Sequence, residues 1–250
     1  MYSIVLAGAP NKGPLRQVSP AQYEAEIEIA GRPMLEYVVL ALERVQSIKK
    51  IVIVGSESML SNSKSKKEQF IFVKPGSSVI DSLENGISTL NVREPVLILT
   101  SDIPLITKEA LEDFLERCQD RPGDIYYSFV PKTINDQKYP GVQRTYVRLK
   151  EGTFTGGNLV LLSPEIIHEK FPTLKKAVAL RKKPLKLCAM LGWWYICKLI
   201  LGVLTIKEIE NRVAEIFGIK AVGIVSLYPE VGIDVDKPSD LKLAREILTR

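Results

Sequence analysis

Two acidic motifs carry the strongest chemical signal in the chain: Ile98-Leu99-Thr100-Ser101-Asp102-Ile103-Pro104 and Gly232-Ile233-Asp234-Val235-Asp236-Lys237-Pro238-Ser239-Asp240-Leu241. The first follows the apolar run Val96 to Leu99, which is too short for a helix and is bounded by Pro95 and Pro104. Asp102 is therefore expected just past the carboxyl end of a buried strand, the edge at which open α/β sheets hold their ligands. Asp236, far along the chain, can meet it there in the fold. Two carboxylates on one rigid edge offer the hard oxygen donors that a divalent cation on a nucleotide phosphate requires. Asp234 is expected to face away from Asp236 along the extended stretch and to matter less, but it is kept as a third candidate ligand. The chain thus reads as an enzyme handling a metal-nucleotide.

Other segments could serve the same chemistry. The strand Tyr2 to Ala7 runs into Gly8-Ala9-Pro10-Asn11-Lys12-Gly13-Pro14, a loop whose free backbone amides could cradle phosphate, with Lys12 adding charge. A plain turn fits equally well, because the glycine spacing matches neither the dinucleotide fingerprint nor the nucleoside-triphosphatase loop. In Lys74-Pro75-Gly76-Ser77-Ser78-Val79-Ile80-Asp81-Ser82-Leu83 a glycine-serine turn leads into a helix capped by Ser77 or Ser78. Gly152-Thr153-Phe154-Thr155-Gly156-Gly157-Asn158 reads as a loop that lets backbone approach a ligand. It reads equally as a hairpin turn with Gly156 and Gly157 at positive φ. His168 is the lone histidine and nothing places it near these segments, so histidine-centred acid-base chemistry is not expected. Cys118, Cys188 and Cys197 have no metal-ligand spacing; with an odd count and no signal peptide, a reducing cytoplasm is the expected compartment.

The elements that must position these residues follow from periodicity. Pro33 opens a helix with apolar Met34, Leu35, Val38, Val39, Leu42 and Val45. Strands are expected at Ile51–Val54, Phe70–Val73, Ile125–Val130, Tyr146–Leu149, Leu159–Leu162 and Val222–Leu227, and helices at Lys207–Phe217 and Pro238–Leu248. Ser56–Gln69 is expected as a solvated connection or short helix, and Pro131–Arg144 as a polar loop. Strand and helix alternate up to Asp102, which argues for parallel pairing with right-handed crossovers. At 250 residues and 46% hydrophobic composition, one domain spanning 1–250 is expected, with a helical insertion at about 165–218. The net charge of +5 suits an anionic substrate or reflects scattered surface lysines.

Between Lys170 and Lys186 the charges are all basic: Lys170, Lys175, Lys176, Arg181, Lys182, Lys183 and Lys186. Leu187 to Ile206 follows, with Lys198 as its only charge and Trp193, Trp194 and Tyr195 together. Its length nears the roughly 20 residues that span a bilayer, but Gly192, Gly202 and Lys198 interrupt it, so a spanning helix is set aside. Two readings stay open for 170–206: helices packed beside the site, or a surface that meets a membrane, a lipidic acceptor or a second subunit.

With these residues in hand, the chain resembles the nucleotidyltransferases typified by molybdenum-cofactor guanylyltransferase, the sugar-phosphate nucleotidyltransferases and the cytidylyltransferases. The resemblance rests on Leu6-Ala7-Gly8, Ala30-Gly31-Arg32-Pro33-Met34, Ser101-Asp102-Ile103-Pro104 and Asp236-Lys237-Pro238-Ser239-Asp240-Leu241. It implies a three-layer α/β/α Rossmann-like sandwich with a mostly parallel sheet. It also implies magnesium-dependent transfer of a nucleotidyl group from a nucleoside triphosphate to a phosphorylated or hydroxyl small-molecule acceptor, with pyrophosphate released and no nucleic acid involved. Asp102 and Asp236 would hold the metal. Leu6, Ala7, Gly8, Lys12, Gly13 and Arg16 would surround base and phosphates, Gly76, Ser77 and Ser82 would lie near the base, and Gly157 and Asn158 would face the acceptor or ribose. Two departures stand out: Ala9 to Arg16 lacks the family's glycine run with its following Arg-Met, and Glu24 holds the place of a customary lysine. Either Lys12 or Arg16 replaces that lysine, or the chain is a catalytically weak nucleotide or nucleotide-sugar binding protein; a glycosyltransferase on a related metal-nucleotide site is a further alternative.

Overall fold

The computed structural model describes residues 1–60, 69–180 and 192–249. The expectation for 61–68, the charges Arg181 to Lys186 and the start of the apolar run lie outside the described residues. The strands are β1 (Tyr2–Leu6), β2 (Glu28–Ile29), β3 (Arg32–Pro33), β4 (Lys50–Val54), β5 (Phe70–Val73), β6 (Val96–Thr100), β7 (Ile125–Pro131), β8 (Val147–Leu149), β9 (Gly152–Leu162) and β10 (Ala221–Val225). The helices are α1 (Met34–Glu43), α2 (Val79–Ser88), α3 (Lys108–Arg117), α4 (Lys132–Lys138), α5 (Pro164–His168), α6 (Phe171–Leu180), α7 (Trp193–Leu201), α8 (Ile206–Phe217) and α9 (Pro238–Leu248).

The main sheet runs β10-β7-β9-β6-β1-β4-β5, with β8 added against β9. Pairing is parallel from β6 through β1 and β4 to β5, and again between β10 and β7. β9 alone reverses, antiparallel to both β6 and β7. The sequences of β1, β4 and β6 are almost wholly apolar because both faces of these strands are covered. Val5, Ile51, Ile53, Leu97 and Leu99 pack under α1 and α3 with Leu35, Val38, Leu42 and Phe114. Their neighbours Ile4, Val52, Val54, Val96 and Ile98 face the opposite layer, with Leu83, Ile166, Phe171 and Leu174. Alternate residues thus feed two cores, giving three layers. A third cluster joins Leu15, Ile27, Ile29, Met34, Leu105, Ile233, Val235 and Leu241; it anchors the second acidic motif onto the loops beyond the sheet edge.

Two sequence expectations fail. The Pro131–Arg144 segment is not all loop, since it contains α4, whose surface turn is supported by a Lys132–Asp136 pair. Gly152–Asn158 is neither a loop nor a hairpin turn: it is the first half of the long strand β9, and neither Gly156 nor Gly157 has positive φ. Glycine is required there by close approach. A Cβ on Gly157 would lie 2.3 Å from Ser128 Oγ and 2.7 Å from Val231 Cγ1, and one on Gly156 would lie 2.4 Å from the Tyr127 hydroxyl.

Candidate active site

β6 ends at Thr100, and the Ser101 amide donates to the Leu6 carbonyl at 3.2 Å, which carries the neighbouring strand's hydrogen bonding to the point where Asp102 leaves the sheet. The Asp102 carbonyl accepts from the Val235 amide at 2.8 Å. This backbone bond joins the two acidic motifs. Around it, Ile233 and Val235 are 1% and 0% exposed, so the acids between and after them turn outward. Carboxylate oxygens of Asp102, Asp234 and Asp236 all lie within 4.8 Å of one another. The expectation that Asp234 faces away from Asp236 is therefore corrected: residues two apart on an extended chain share a face, and here the opposite face belongs to Ile233 and Val235.

Burial and mutual repulsion dominate the electrostatics of the trio. Burial, and then repulsion from Asp234 and Asp236, pushes Asp102 up to about 7 against the opposing hydrogen bond donated by the Thr100 hydroxyl. Burial also raises Asp234, with Arg144 acting in the other direction. Glu24 is raised by burial and then by Asp236, and its carboxylate lies beside Gly13. The residue that stands in the customary lysine's place is thus a further negative charge near the trio. An all-oxygen donor set under mutual repulsion fits a hard divalent ion such as magnesium.

Other predicted residues divide between two clefts. Gly157 and Asn158 line a polar cleft of about 450 Å³ together with Arg144, Thr155, Asp234, Asp236 and Lys237. The Asn158 amide also donates to the Val231 carbonyl at 3.2 Å, tethering the turn that precedes the second acidic motif. Lys12 and Arg16 instead line a cleft with Asn11, Gln22 and Tyr23 that includes none of the three acids. Arg16 is committed to that loop, donating to the carbonyls of Pro20 at 2.6 Å and Ala21 at 2.9 Å. Lys12 and Gly13 nevertheless follow β1, the strand next to β6, so the loop rises from the same sheet edge as Asp102. Ala7 donates to Val54, and Gly8 packs on Pro75, where a Cβ would lie 2.4 Å from the proline Cβ. On that edge too, the Gly76 amide donates to Ser82 Oγ at 3.0 Å, Ser77 Oγ donates to Asp81, and Ser78 caps α2. Gly76, Ser77 and Ser82 build this turn three strands along from Asp102.

Sequence reading missed Arg144. Its side chain is 8% exposed and lies 3.2 Å from Asp234 Oδ1 and 3.6 Å from Asp240 Oδ2. The one available signal was the acid excess of Asp234, Asp236 and Asp240, which demands a buried counter-charge. Also missed was buried Glu230, which accepts from Lys138 and from the Tyr139 hydroxyl and so fixes the turn before Asp234 to α4.

The basic segment does not begin at this edge. Lys170 pairs with Asp124, which precedes β7 and so lies at the end of the sheet opposite Asp102. Lys175 pairs with Glu84 of α2. Farther on, α7 holds its apolar face outward, with Trp193 77% and Trp194 67% exposed and Ile200 and Leu201 beside them. No helix among the described residues is long and apolar enough to cross a membrane. His168 is bound to the Val92 carbonyl, away from the acids.

Among solved structures, a hypothetical transferase from Thermus thermophilus superposes with a TM-score of 0.84 at 36% identity, covering 96% of this chain and 98% of that one. The 4-diphosphocytidyl-2C-methyl-D-erythritol synthase of Anaerococcus prevotii gives 0.62 at 13% identity, over 100% and 96% of the two chains. A CMP:2-keto-3-deoxy-manno-octonic acid synthetase complexed with CTP gives 0.64 at 12% identity, over 99% and 98%. These last two likenesses speak to the fold. No curated protein sequence matches significantly. The sequence profile of the MobA-like NTP transferase domain matches residues 22–179, a span that takes in Glu24, Asp102 and β9 and ends in α6. With that match, and an acidic trio at the carboxyl edge of a mostly parallel sheet, the chain belongs to the MobA-like NTP transferase family.

Proposed function

We propose that the protein transfers a nucleotidyl group from a nucleoside triphosphate to a phosphorylated or hydroxyl small-molecule acceptor, releasing pyrophosphate, with magnesium held by Asp102, Asp236 and Asp234. The observation that carries this reading is the convergence of three carboxylates within 4.8 Å beside a polar cleft, in a chain of this family. Magnesium, when bound, supplies charge neutralisation and orientation at the phosphate oxygens. The protein's own contribution is placement. Thr100 fixes the Asp102 carboxylate, and the buried pair Ile233 and Val235 keep Asp234 and Asp236 turned toward it. Gly156 and Gly157 let β9 run close against Tyr127, Ser128 and Val231 where it lines the cleft, and Lys237 offers an acceptor there a positive charge. Lys12 supplies charge for the leaving pyrophosphate from the neighbouring loop, while Arg16 shapes the loop through Pro20 and Ala21. Holding an acceptor oxygen in line with the α-phosphorus is the main source of rate.

Incubating the protein with magnesium and each of the four common nucleoside triphosphates across pools of sugar phosphates, alcohols and cofactor precursors, and measuring pyrophosphate, tests this directly. Release that requires both an acceptor and magnesium, and that Asp236→Ala abolishes, is the expected result. A second reading, a nucleotide-binding protein without turnover, draws on the committed Arg16 and on Glu24 beside the acids. Thermal stabilisation by nucleotides with no pyrophosphate from any pool would favour it.

A further inference from the structure

Three carboxylates cannot hold one another at this separation unaided, so something in the apo fold must fix them. The groups packed on Asp234 and Asp236 from neighbouring segments identify it. Arg144 enters from the segment after α4. Its Nη1 lies between Asp234 Oδ1 at 3.2 Å and Asp240 Oδ2 at 3.6 Å, and its Nη2 donates to the Asp234 carbonyl at 2.5 Å. Asp240, in the first turn of α9 and itself buried, also accepts from the Asp236 amide at 3.3 Å. One guanidinium therefore grips Asp234 by side chain and backbone, and reaches Asp236 through a single intermediate carboxylate. The remaining donor, Nε, is buried with no partner. The two Nη atoms hold different groups at fixed separation, a two-point contact from one planar fork that a lysine's single ammonium nitrogen does not reproduce.

We propose that Arg144 is a positioning residue for the cation site: it pre-forms the Asp234–Asp236 half of the trio and offsets its charge before a cation arrives. This rests on the reading of Asp102, Asp234 and Asp236 as cation ligands. In this role Arg144 acts through Asp234 and Asp240 rather than on the cation or the nucleotide. Its role is the outer support that carboxylate ligands generally need, and loss of such support commonly weakens metal affinity by roughly 10–100-fold.

The test is Mn²⁺ binding to the full chain, followed by electron paramagnetic resonance of the free ion and by titration calorimetry, for wild type, Arg144→Lys and Arg144→Met. Circular dichroism and thermal melting establish that each variant folds, and Asp240→Asn serves as an independent cut of the same lattice should Arg144→Met not fold. The expected result is Mn²⁺ affinity lowered at least about tenfold in Arg144→Met and in Asp240→Asn. Arg144→Lys, which keeps charge but not the fork, should be only partly restored. In steady state the Mg²⁺ concentration for half-maximal rate should rise more than the KM for triphosphate. Wild type that binds no Mn²⁺ would overturn the cation reading itself. Wild type that binds while all folded variants bind equally well would leave that reading standing and overturn the role of Arg144. A raised triphosphate KM with unchanged Mn²⁺ affinity would also overturn it, since it would make Arg144 a substrate contact.

Discussion

Burial and two like-charged neighbours hold Asp102 up to about 7, whereas an aspartate in an unfolded chain ionises near about 4. Between those values the folded protein keeps a proton that the unfolded chain has lost, so in the absence of a cation stability falls as pH rises through that window and stays low above it. Asp102→Asn is accordingly expected to abolish magnesium-dependent turnover yet raise the melting temperature in EDTA at pH 8, with the gain shrinking toward pH 4. Equal melting temperatures at pH 8 would mean that Asp102 bears no such strain. At Lys12, replacement by Ala should weaken triphosphate binding by roughly 1–3 kcal/mol, the scale of a charge-assisted hydrogen bond; an unchanged dissociation constant for every triphosphate would remove Lys12 from the site. The placement of Asp102 just past a strand end was legible from the sequence because proline brackets and a short apolar run fix where β6 must stop, whereas Asp236 was singled out by its acidic motif and meets Asp102 through the fold. Asp234 was placed on the wrong side by miscounting a period of two. The acid excess of Asp234, Asp236 and Asp240 called for a buried counter-charge but could not single out Arg144, because its partners Asp234 and Asp240 are brought to it only by tertiary structure.

At the level of elements, apolar periodicity marked β5 and α9 at the ends the structure gives them, and β1, β4, β6 and α1 to within a residue or two. It failed where glycine serves packing rather than turning. Gly156 and Gly157 lie inside β9, and the threonines around them belong to a strand that squeezes past β7 and the turn before Asp234. Gly157→Ala should therefore lower stability by roughly 1–3 kcal/mol, the range for overpacking a filled site, because the new methyl group meets Ser128, whose hydroxyl bonds to both the carbonyl and the amide of Leu159. Denaturant unfolding checks this, and an unaltered midpoint would contradict it. Within the segment 170–206, Lys170 and Lys175 are held in ion pairs with Asp124 and Glu84, while α7 turns its apolar face outward. Trp193 and Trp194 are expected to emit as hydrated indoles and to be quenched by acrylamide in the free protein. Blue-shifted, shielded emission would show that a second copy or another partner already covers the face.

For the whole molecule, the alternation of buried residues along β1, β4 and β6 fixes three layers, and both acidic motifs end up on one sheet edge. Parallel pairing was readable because strand and helix alternate up to Asp102, and the three layers were what the family resemblance implied; the structure accounts for them by strands that are apolar because both faces are covered. The reversal of β9 between β6 and β7 was not, because which strands pair across the middle of a sheet depends on partners far away in sequence. That reversal delivers the start of β9, with Gly157 and Asn158, to the carboxyl edge of β6, opposite Asp234 and Asp236. The central claim is that this edge binds a divalent cation together with a triphosphate. Crystals grown with Mn²⁺ and a nucleoside triphosphate, measured at the manganese absorption edge, test it most directly. The account predicts an anomalous peak bound to oxygens of Asp102 and Asp236, with Asp234 at or beside it and phosphate oxygens completing the shell. A peak elsewhere, or a triphosphate bound away from these three residues, would contradict it.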